Sequence, residues 1–167
     1  MPLRAIRADI TTLPVDAIVN AANEHLAQGG GVCGAIFRAA GAADLTAACA
    51  RVAPCPTGQA RITPGFALPA KHVIHAVGPV WHGGGAGEAA LLAACYRESL
   101  RLLRDAGGRS IAFPAISTGI FGYPLDQATR IAVAAIRDDI ERHGEVDVIF
   151  ACFDQHTLDT YTKEIGP

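Results

Sequence analysis

The chain has 167 residues, half of them hydrophobic and 18% charged, which suits one domain around one buried core. Its net charge of -2 at pH 7 disfavours nucleic-acid binding through a broad basic surface. No run of residues reaches the roughly 18 apolar positions of a membrane helix. We therefore expect one globular domain over residues 1–167 that neither binds nucleic acid nor crosses a membrane.

Strand and helix signals alternate along the N-terminal half. Apolar residues mixed with arginines over residues 3–8 predict an edge strand, and the apolar run at 16–20 predicts a buried one. A glycine triplet, Gly29 to Gly31, precedes a helix-compatible segment that Gly41 ends. In chain order, the further elements predicted are helices over residues 32–40 and 42–53, a short strand at 60–63 in a proline-rich loop, a strand over 72–77 and a glycine-rich connection over 81–87.

The C-terminal half continues the alternation. Apolar residues at helical spacing, among them Leu92, Tyr96 and Leu103, predict a helix over residues 88–106. After it we predict a strand over residues 110–114, a helix over 125–140, a strand over 146–152 and a last helix over 154–165. Such alternation, with short apolar strands, is typical of a sheet covered on both faces. The predicted class is therefore α/β, a three-layer αβα domain with a mixed central sheet of about six strands.

The cysteines and histidines suggest neither disulfides nor a metal site. The five cysteines are odd in number and include no C-x-x-C pair, and residues 1–9 lack the apolar core of a signal peptide. We expect free thiols in a cytoplasmic protein. His72 and His75 lie three positions apart on a predicted strand, so their side chains point to opposite faces. No tetrahedral ligand set is visible, and no metal or other cofactor is predicted.

Two glycine-rich segments lie at the ends of predicted strands, one from Asn20 to Val32 and one from Ser117 to Gly122. In open α/β sheets ligands bind beyond the carboxyl ends of the strands, and glycine-rich turns expose backbone N–H groups to anions. Two such loops facing one another would suit a diphosphate, although such turns also serve as plain connections. Neither loop matches G-x-G-x-x-G or G-x-x-x-x-G-K-[ST], which disfavours a Rossmann dehydrogenase or a P-loop NTPase.

The order of several motifs from about Arg7 to Asp154 resembles the macrodomain family. They read DIT at residues 9–11, VDAIVNAAN at 15–23, GGG at 29–31, TG at 57–58, ITPG at 62–65, HVIHAVGP at 72–79 and FPAISTGIFGYP at 113–124. Within the family the chain looks most like the MacroD-type proteins, which remove ADP-ribose from acidic side chains and deacetylate O-acetyl-ADP-ribose. The resemblance implies a macrodomain whose partners are ADP-ribose and either ADP-ribosylated proteins or O-acetyl-ADP-ribose.

The resemblance also implies a role for individual positions. Asp9 would accept a hydrogen bond from the adenine amino group, the Ile10 N–H would contact the ring, and Phe153 would stack on it. Asn23 would bind the distal ribose, whereas Asn20 is expected to be structural. Gly30, Gly31 and Val32 would line one side of the diphosphate and distal ribose, and Ser117, Thr118, Gly119, Ile120 and Phe121 would enclose the diphosphate from the other side. Taken alone, Asp9 could instead cap a turn and Phe153 could belong to the core.

The first glycine-rich loop departs from the pattern of the MacroD-type enzymes. Cys33 stands where they carry an aspartate thought to activate water. Phe37 stands where a histidine is common, and Gln28 where another glycine often occurs. The departures fall in the catalytic loop, whereas the positions implied in ligand binding match.

Several sources of catalysis remain open. A thiolate at Cys33 would need a lowered pKa, and His25 could act as a general base. Glu24 and Asp44 are further candidates. A water positioned by the substrate's own diphosphate, with Asn23 holding the ribose, needs no catalytic side chain. We expect a hydrolase of mono-ADP-ribosyl adducts that uses this last route, and the missing aspartate leaves a non-catalytic ADP-ribose reader as the alternative.

Overall fold

A six-stranded sheet lies between two layers of helices in the computed structural model, which describes residues 3–167. The strands are β1 (Leu3–Arg7), β2 (Ala17–Ala21), β3 (Ala60–Pro64), β4 (His72–Ala76), β5 (Ser110–Phe113) and β6 (Asp147–Cys152). The helices are α1 (Gly31–Ala40), α2 (Ala42–Val52), α3 (Glu88–Asp105), α4 (Leu125–His143) and α5 (Gln155–Ile165). The α/β class predicted from the sequence is confirmed.

The strands follow the order β1-β6-β5-β2-β4-β3 across the sheet. β3 pairs with β4 in antiparallel fashion, whereas every other neighbouring pair is parallel, so the sheet is mixed as predicted. β1 is an edge strand, also as predicted. β3 is the other edge and extends to Pro64, one residue beyond the predicted strand, because a residue without an N–H is tolerated at an edge. The carboxyl ends of the five parallel strands share one edge, the C-terminal edge of the sheet.

Each face of the sheet carries its own hydrophobic cluster. On one face α1 and α2 pack over the sheet, and Ile36 of α1 is buried in the same cluster as Ile18 of β2. On the other face α3, α4 and α5 pack over the sheet, and Leu100 of α3 shares a cluster with Val19 of β2. Neighbouring residues of β2 thus belong to clusters on opposite faces of the sheet, as the alternation of side chains along a strand requires.

The connections after β2 and β5 leave the sheet towards opposite faces. The loop after β2 leads to α1 on one face, and the loop after β5 leads to α4 on the other. Because β2 and β5 are neighbours, a crevice opens between residues 22–30 and residues 114–124 at the C-terminal edge. Such a switch in direction is where open α/β sheets bind ligands.

The cysteines, the possible metal ligands and the longer helices bear on three expectations from the sequence: free thiols, no metal site and no membrane helix. All five cysteines are free and buried, which confirms the prediction of free thiols. Residues 3–167 contain no group of three or more His, Cys, Asp or Glu side chains that could hold a metal ion. In the same part of the chain, no single helix has both the length and the apolar composition of a membrane span. The helices α1 and α2 have that length and composition only when taken together, and they are bent by 109° at their junction.

Candidate functional site

The first wall of the crevice is the N-terminus of α1 together with the glycines before it. Gly30 is the N-cap, no side chain caps the helix, and no acidic residue lies in its first turn. The N–H groups of a first helical turn have no partner within the helix, and they carry the positive end of its dipole. Gly31 has a φ of +57°, a left-handed conformation that favours glycine. This wall therefore offers uncompensated N–H donors to an anion.

The second wall is the loop after β5. The Gly122 N–H donates to the Gly119 carbonyl at 3.0 Å and turns the chain back on itself. Within residues 3–167, the N–H groups of Gly119, Ile120 and Phe121 donate to no protein acceptor. A Cβ built on Gly119 would meet no atom within 4 Å, so the fold itself does not require glycine there. The second wall thus also presents free backbone donors, beside open space.

Gly78 lets the end of β4 support this second wall. A Cβ at Gly78 would lie 2.2 Å from Ser117 Oγ and 2.6 Å from Ile116 Cγ2, so only glycine permits the contact. Ser117 has a φ of +67°, and its carbonyl accepts the Tyr123 N–H at 2.9 Å. Sequence reasoning assigned no role to Gly78, because its importance depends on a loop about 40 residues further along the chain.

Asp9 and Phe153 lie next to each other at the ends of β1 and β6. Arg7 is in register with Cys152, and the Ala8 N–H donates to the Cys152 carbonyl at 3.1 Å. Phe153 is 81% exposed, so the interpretation of this residue as part of the core is wrong. An exposed aromatic face at the C-terminal edge is available for stacking on a base.

Asp9 caps a short 3-10 turn, Ile10–Thr12, which confirms the alternative role that its sequence position allowed. Its Oδ1 accepts the Thr11 N–H at 3.0 Å and the Thr11 hydroxyl at 2.7 Å. Its Oδ2 has no protein partner in the described part of the chain, and a carboxylate offers about four acceptor positions. The capping role and the predicted contact with an exocyclic amine are therefore compatible.

Asn23 uses its side chain to close the loop after β2. Its Nδ2 donates to the Ala27 carbonyl at 2.9 Å, and its Oδ1 accepts the Ala27 N–H at 3.1 Å. An amide carries two N–H bonds and two lone pairs, so one of each remains for a ligand. The contact between Asn23 and a ribose stays a prediction, and the two bonds to Ala27 would hold the amide in a fixed orientation for it.

Cys33 lies in the first turn of α1 with its thiol turned into the protein. Only 6% of the residue is exposed, and Sγ lies 3.6 Å from Asn20 Nδ2 and 3.8 Å from the Ala27 carbonyl oxygen. Phe37, one helical turn further along, is also buried. Neither position that carries an acid or a histidine in the MacroD-type enzymes therefore presents a polar side chain to the crevice. This geometry favours Cys33 as a packing residue.

A buried polar pair, Asn20 and His75, lies next to the Cys33 thiol. Asn20 Nδ2 lies 3.1 Å from His75 Nδ1, and His75 Nε2 lies 2.9 Å from Thr63 Oγ1. Burial lowers the pKa of His75 to about 4, so the ring is neutral at pH 7 and accepts the Asn20 amide at Nδ1. Asn20 is 1% exposed, which supports the structural role expected for it.

His25 and Glu24 lie away from the Cys33 thiol. The exposed His25 lines a concavity of about 260 Å³ with Glu24, Pro54, Cys55 and Pro56. Glu24 Oε2 accepts both the N–H and the hydroxyl of Thr57 at 3.2 Å. Within residues 3–167, no hydrogen bond joins either side chain to Cys33. Neither His25 nor Glu24 is therefore placed to activate the thiol, and the Glu24 carboxylate is already bonded to Thr57.

The crevice therefore combines two rows of free N–H donors with a carboxylate and an exposed aromatic ring at its β1–β6 end. Donors on both sides suit a diphosphate, whose oxygens accept hydrogen bonds from backbone N–H groups. A ring and a carboxylate acceptor suit a heterocycle that carries an amino group. The arrangement is that of a binding site for a nucleoside diphosphate.

Known proteins share this sequence and this fold. A family model described as "Macro domain" matches residues 19–132. A macro domain-containing protein of Chlorobaculum tepidum is 56% identical over 98% of this chain and 95% of its own length. A Klebsiella pneumoniae protein named O-acetyl-ADP-ribose deacetylase is 53% identical over 95% of this chain and 93% of its own.

Solved structures agree with these relatives. The Oceanobacillus iheyensis macrodomain with ADP superimposes with a TM-score of 0.90 at 38% identity, covering 97% of this chain and 88% of its own. The Trypanosoma brucei macrodomain in complex with ADP-ribose superimposes with a TM-score of 0.91 at 44% identity, covering 98% of this chain and 69% of its own. The resemblance that the motifs indicated therefore extends over nearly the whole chain.

Proposed function

The chain belongs to the macrodomain family, and we propose on that basis that its crevice binds ADP-ribose and that it hydrolyses mono-ADP-ribosyl adducts. The observation that carries the proposal is the pair of loops after β2 and β5, which present free N–H groups to the same space. Two solved macrodomains that resemble this chain hold ADP and ADP-ribose respectively.

The spacing of the strands suits an ADP-ribose that lies along the C-terminal edge of the sheet. The Asp9 and Phe153 end of the crevice lies over β1 and β6, and the two walls lie over β5 and β2. These places are two strand spacings apart, about 10 Å. A ribose 5′-diphosphate bridges such a separation, so one ligand can stack its adenine on Phe153 and place its diphosphate between the walls. The distal ribose then continues towards Asn23 and Val32.

The hydrolytic step is proposed to use water held by the substrate. Adducts on acidic side chains and O-acetyl-ADP-ribose are both esters of the distal ribose, but different bonds break in them. In an acidic side-chain adduct, water bonds to the anomeric carbon as the side-chain carboxylate leaves, whereas in O-acetyl-ADP-ribose water adds to the acetyl carbonyl carbon and the ribose hydroxyl leaves with acetate as the other product. A diphosphate fixed between two rows of donors can orient the water in both reactions, and in the first it can also stabilise the positive charge that develops at the anomeric carbon. Asn23, held by Ala27, would place the ribose. The similarity to a named O-acetyl-ADP-ribose deacetylase supports this class of substrate.

A second candidate is a reader that binds ADP-ribose without cleaving it. The burial of Cys33 and Phe37 favours it, because α1 then contributes no carboxylate or imidazole to the crevice. The two functions share the binding site and differ only in turnover.

Turnover of a glutamate-linked mono-ADP-ribosylated protein separates the candidates. Release of free ADP-ribose above a no-protein blank supports the hydrolase, and binding measured by calorimetry without release supports the reader. The Cys33→Asp variant, which restores the carboxylate of the MacroD-type enzymes, is the matched comparison. If the wild-type protein binds neither ADP-ribose nor ADP, both candidates are wrong.

A further inference from the structure

Glu88, the first residue of α3, has a buried carboxylate that organises the loop before it. The residue is 1% exposed although residues 82–87 are all exposed. Its Oε2 accepts the His82 and Gly84 N–H groups at 2.9 Å, and its Oε1 accepts the Ala86 N–H at 2.7 Å. These donors, His82 first, lower the pKa of Glu88 to about 2, so the group is an anion at neutral pH.

The loop that Glu88 organises carries Trp81 against the second wall of the crevice. A Cβ at Gly84 would lie 3.0 Å from Cη2 of Trp81, which shows that the loop packs on the indole. The indole also packs against the ring of Tyr123, with 4.5 Å between ring centroids. The backbone N–H of Trp81 donates to the Phe121 carbonyl at 2.8 Å. A chain of direct contacts therefore joins Glu88 to Phe121.

The peptide group between Phe121 and Gly122 is held at both ends. Its carbonyl, which carries the negative end of the peptide dipole, accepts the backbone N–H of Trp81, and its N–H, on Gly122, donates to the Gly119 carbonyl. The N–H of Phe121 and those of Ile120 and Gly119 remain free in the described part of the chain. An anion between the walls therefore meets donors, whereas a released Phe121 carbonyl could turn towards it and repel it.

We propose that Glu88 is a positioning residue for the diphosphate: by ordering residues 82–86 it holds Trp81 in place and keeps the Phe121 carbonyl out of the crevice. The identity of the ligand rests on the function proposed above. Glu88 acts through Trp81 and touches no part of the ligand. Loss of its charge is expected to weaken the hold on the phosphates and to leave recognition of the base unchanged.

The test compares ADP-ribose, ADP and adenosine as ligands of the Glu88→Gln variant by calorimetry. The amide keeps the shape of the side chain but replaces one acceptor oxygen with a donor that faces backbone N–H groups. We expect the Kd for ADP-ribose and for ADP to rise about tenfold, and the Kd for adenosine to stay within about twofold. The Glu98→Gln variant is the control, because Glu98 is a partly exposed residue of the same helix whose carboxylate pairs with Arg101; it should bind all three ligands as the wild type does.

Each outcome decides the proposal. Unchanged affinity for ADP-ribose and ADP in Glu88→Gln overturns it, and so does an equal loss for adenosine, because that is a general loss of structure. If Glu88→Gln does not fold by circular dichroism, Trp81→Phe replaces it; that smaller ring should weaken ADP-ribose by about threefold and spare adenosine, and unchanged binding overturns the proposal. Failure of the wild type to bind ADP-ribose would instead refute the proposed function.

Discussion

Gly119 allows the sharpest test of the phosphate site, because the fold and the ligand make different demands on it. A Cβ at Gly119 meets no atom within 4 Å, and the residue has no positive φ, so a side chain there strains nothing in the protein. We expect Gly119→Ala, Gly119→Gln and Gly119→Glu to change the free energy of unfolding by no more than about 0.5 kcal/mol. Any large loss of binding then reports on space that the ligand needs.

The series separates bulk from charge. Alanine and glutamine add volume beside the free N–H groups of the second wall. Glutamate adds a negative charge as well. Two like charges about 4 Å apart repel by about 1 kcal/mol in water and about 4 kcal/mol at the effective dielectric of a protein surface. Gly119→Glu is therefore expected to bind ADP-ribose at least tenfold more weakly than Gly119→Gln, which is itself weaker than the wild type.

The assay is calorimetric titration with ADP-ribose, with urea unfolding to confirm stability. Ala134→Gln is the control, because Ala134 is an exposed residue in the middle of α4 and lies outside both glycine-rich loops. It should bind normally. A folded Gly119→Glu variant that binds ADP-ribose with wild-type affinity would refute the assignment of this loop to the diphosphate.

Four further predictions concern the base, the thiol and the buried histidine. Asp9→Ala should weaken ADP-ribose in calorimetry, and equal affinities would contradict the adenine contact. Phe153→Ala should cost about 1–3 kcal/mol of binding through lost stacking, whereas Phe66→Ala, at another exposed phenylalanine, should cost nothing. Cys33→Ala should keep most of the rate of ADP-ribose release, because we expect the thiol to be a packing residue; loss of a general base would instead lower the rate by about 10²–10⁴. A rise in activity between about pH 7 and 9 that disappears in this variant would show that a thiolate takes part in the reaction. The pKa of His75 is lowered from 6.5 to about 4, so between these values the unfolded chain binds a proton that the folded chain does not. The free energy of unfolding should therefore fall by about 3 kcal/mol as pH falls through this window. In urea unfolding measured at a series of pH values, His75→Asn should show a smaller change of the midpoint over the same window.

The sequence predicted the elements of the fold well because their signals are local. Apolar residues at helical spacing marked α3 and α4, and short apolar runs marked the parallel strands. The arginines of residues 3–8 correctly indicated an edge strand, since such side chains are out of place inside a sheet. The order of the strands did not follow from any local pattern. The two glycine-rich segments after predicted strands indicated a diphosphate site, and the family resemblance assigned ADP-ribose to it.

The parts of the site that sequence reasoning missed depend on contacts between distant segments. Glu88 reads as an ordinary acidic residue in the first turn of an amphipathic helix, and only the folded loop shows that its carboxylate is buried. The segment over residues 81–87 read as a plain connection, and the contact between Trp81 and Phe121 has no signature in either segment. The thiol of Cys33 could not be placed by sequence, because its environment includes Asn20 from another element.

The two walls of the crevice rest on different hydrophobic clusters. Cys33 and Phe37 pack in the cluster beneath α1 and α2, whereas Ile116 and Tyr123 of the second wall pack in the cluster beneath α3, α4 and α5. A substitution in the first wall, such as Cys33→Asp, can therefore leave the packing under the second wall unchanged. The proposed hydrolase and the proposed reader would then differ by substitutions within one layer of the fold, while the phosphate-binding loop of the other layer stays the same.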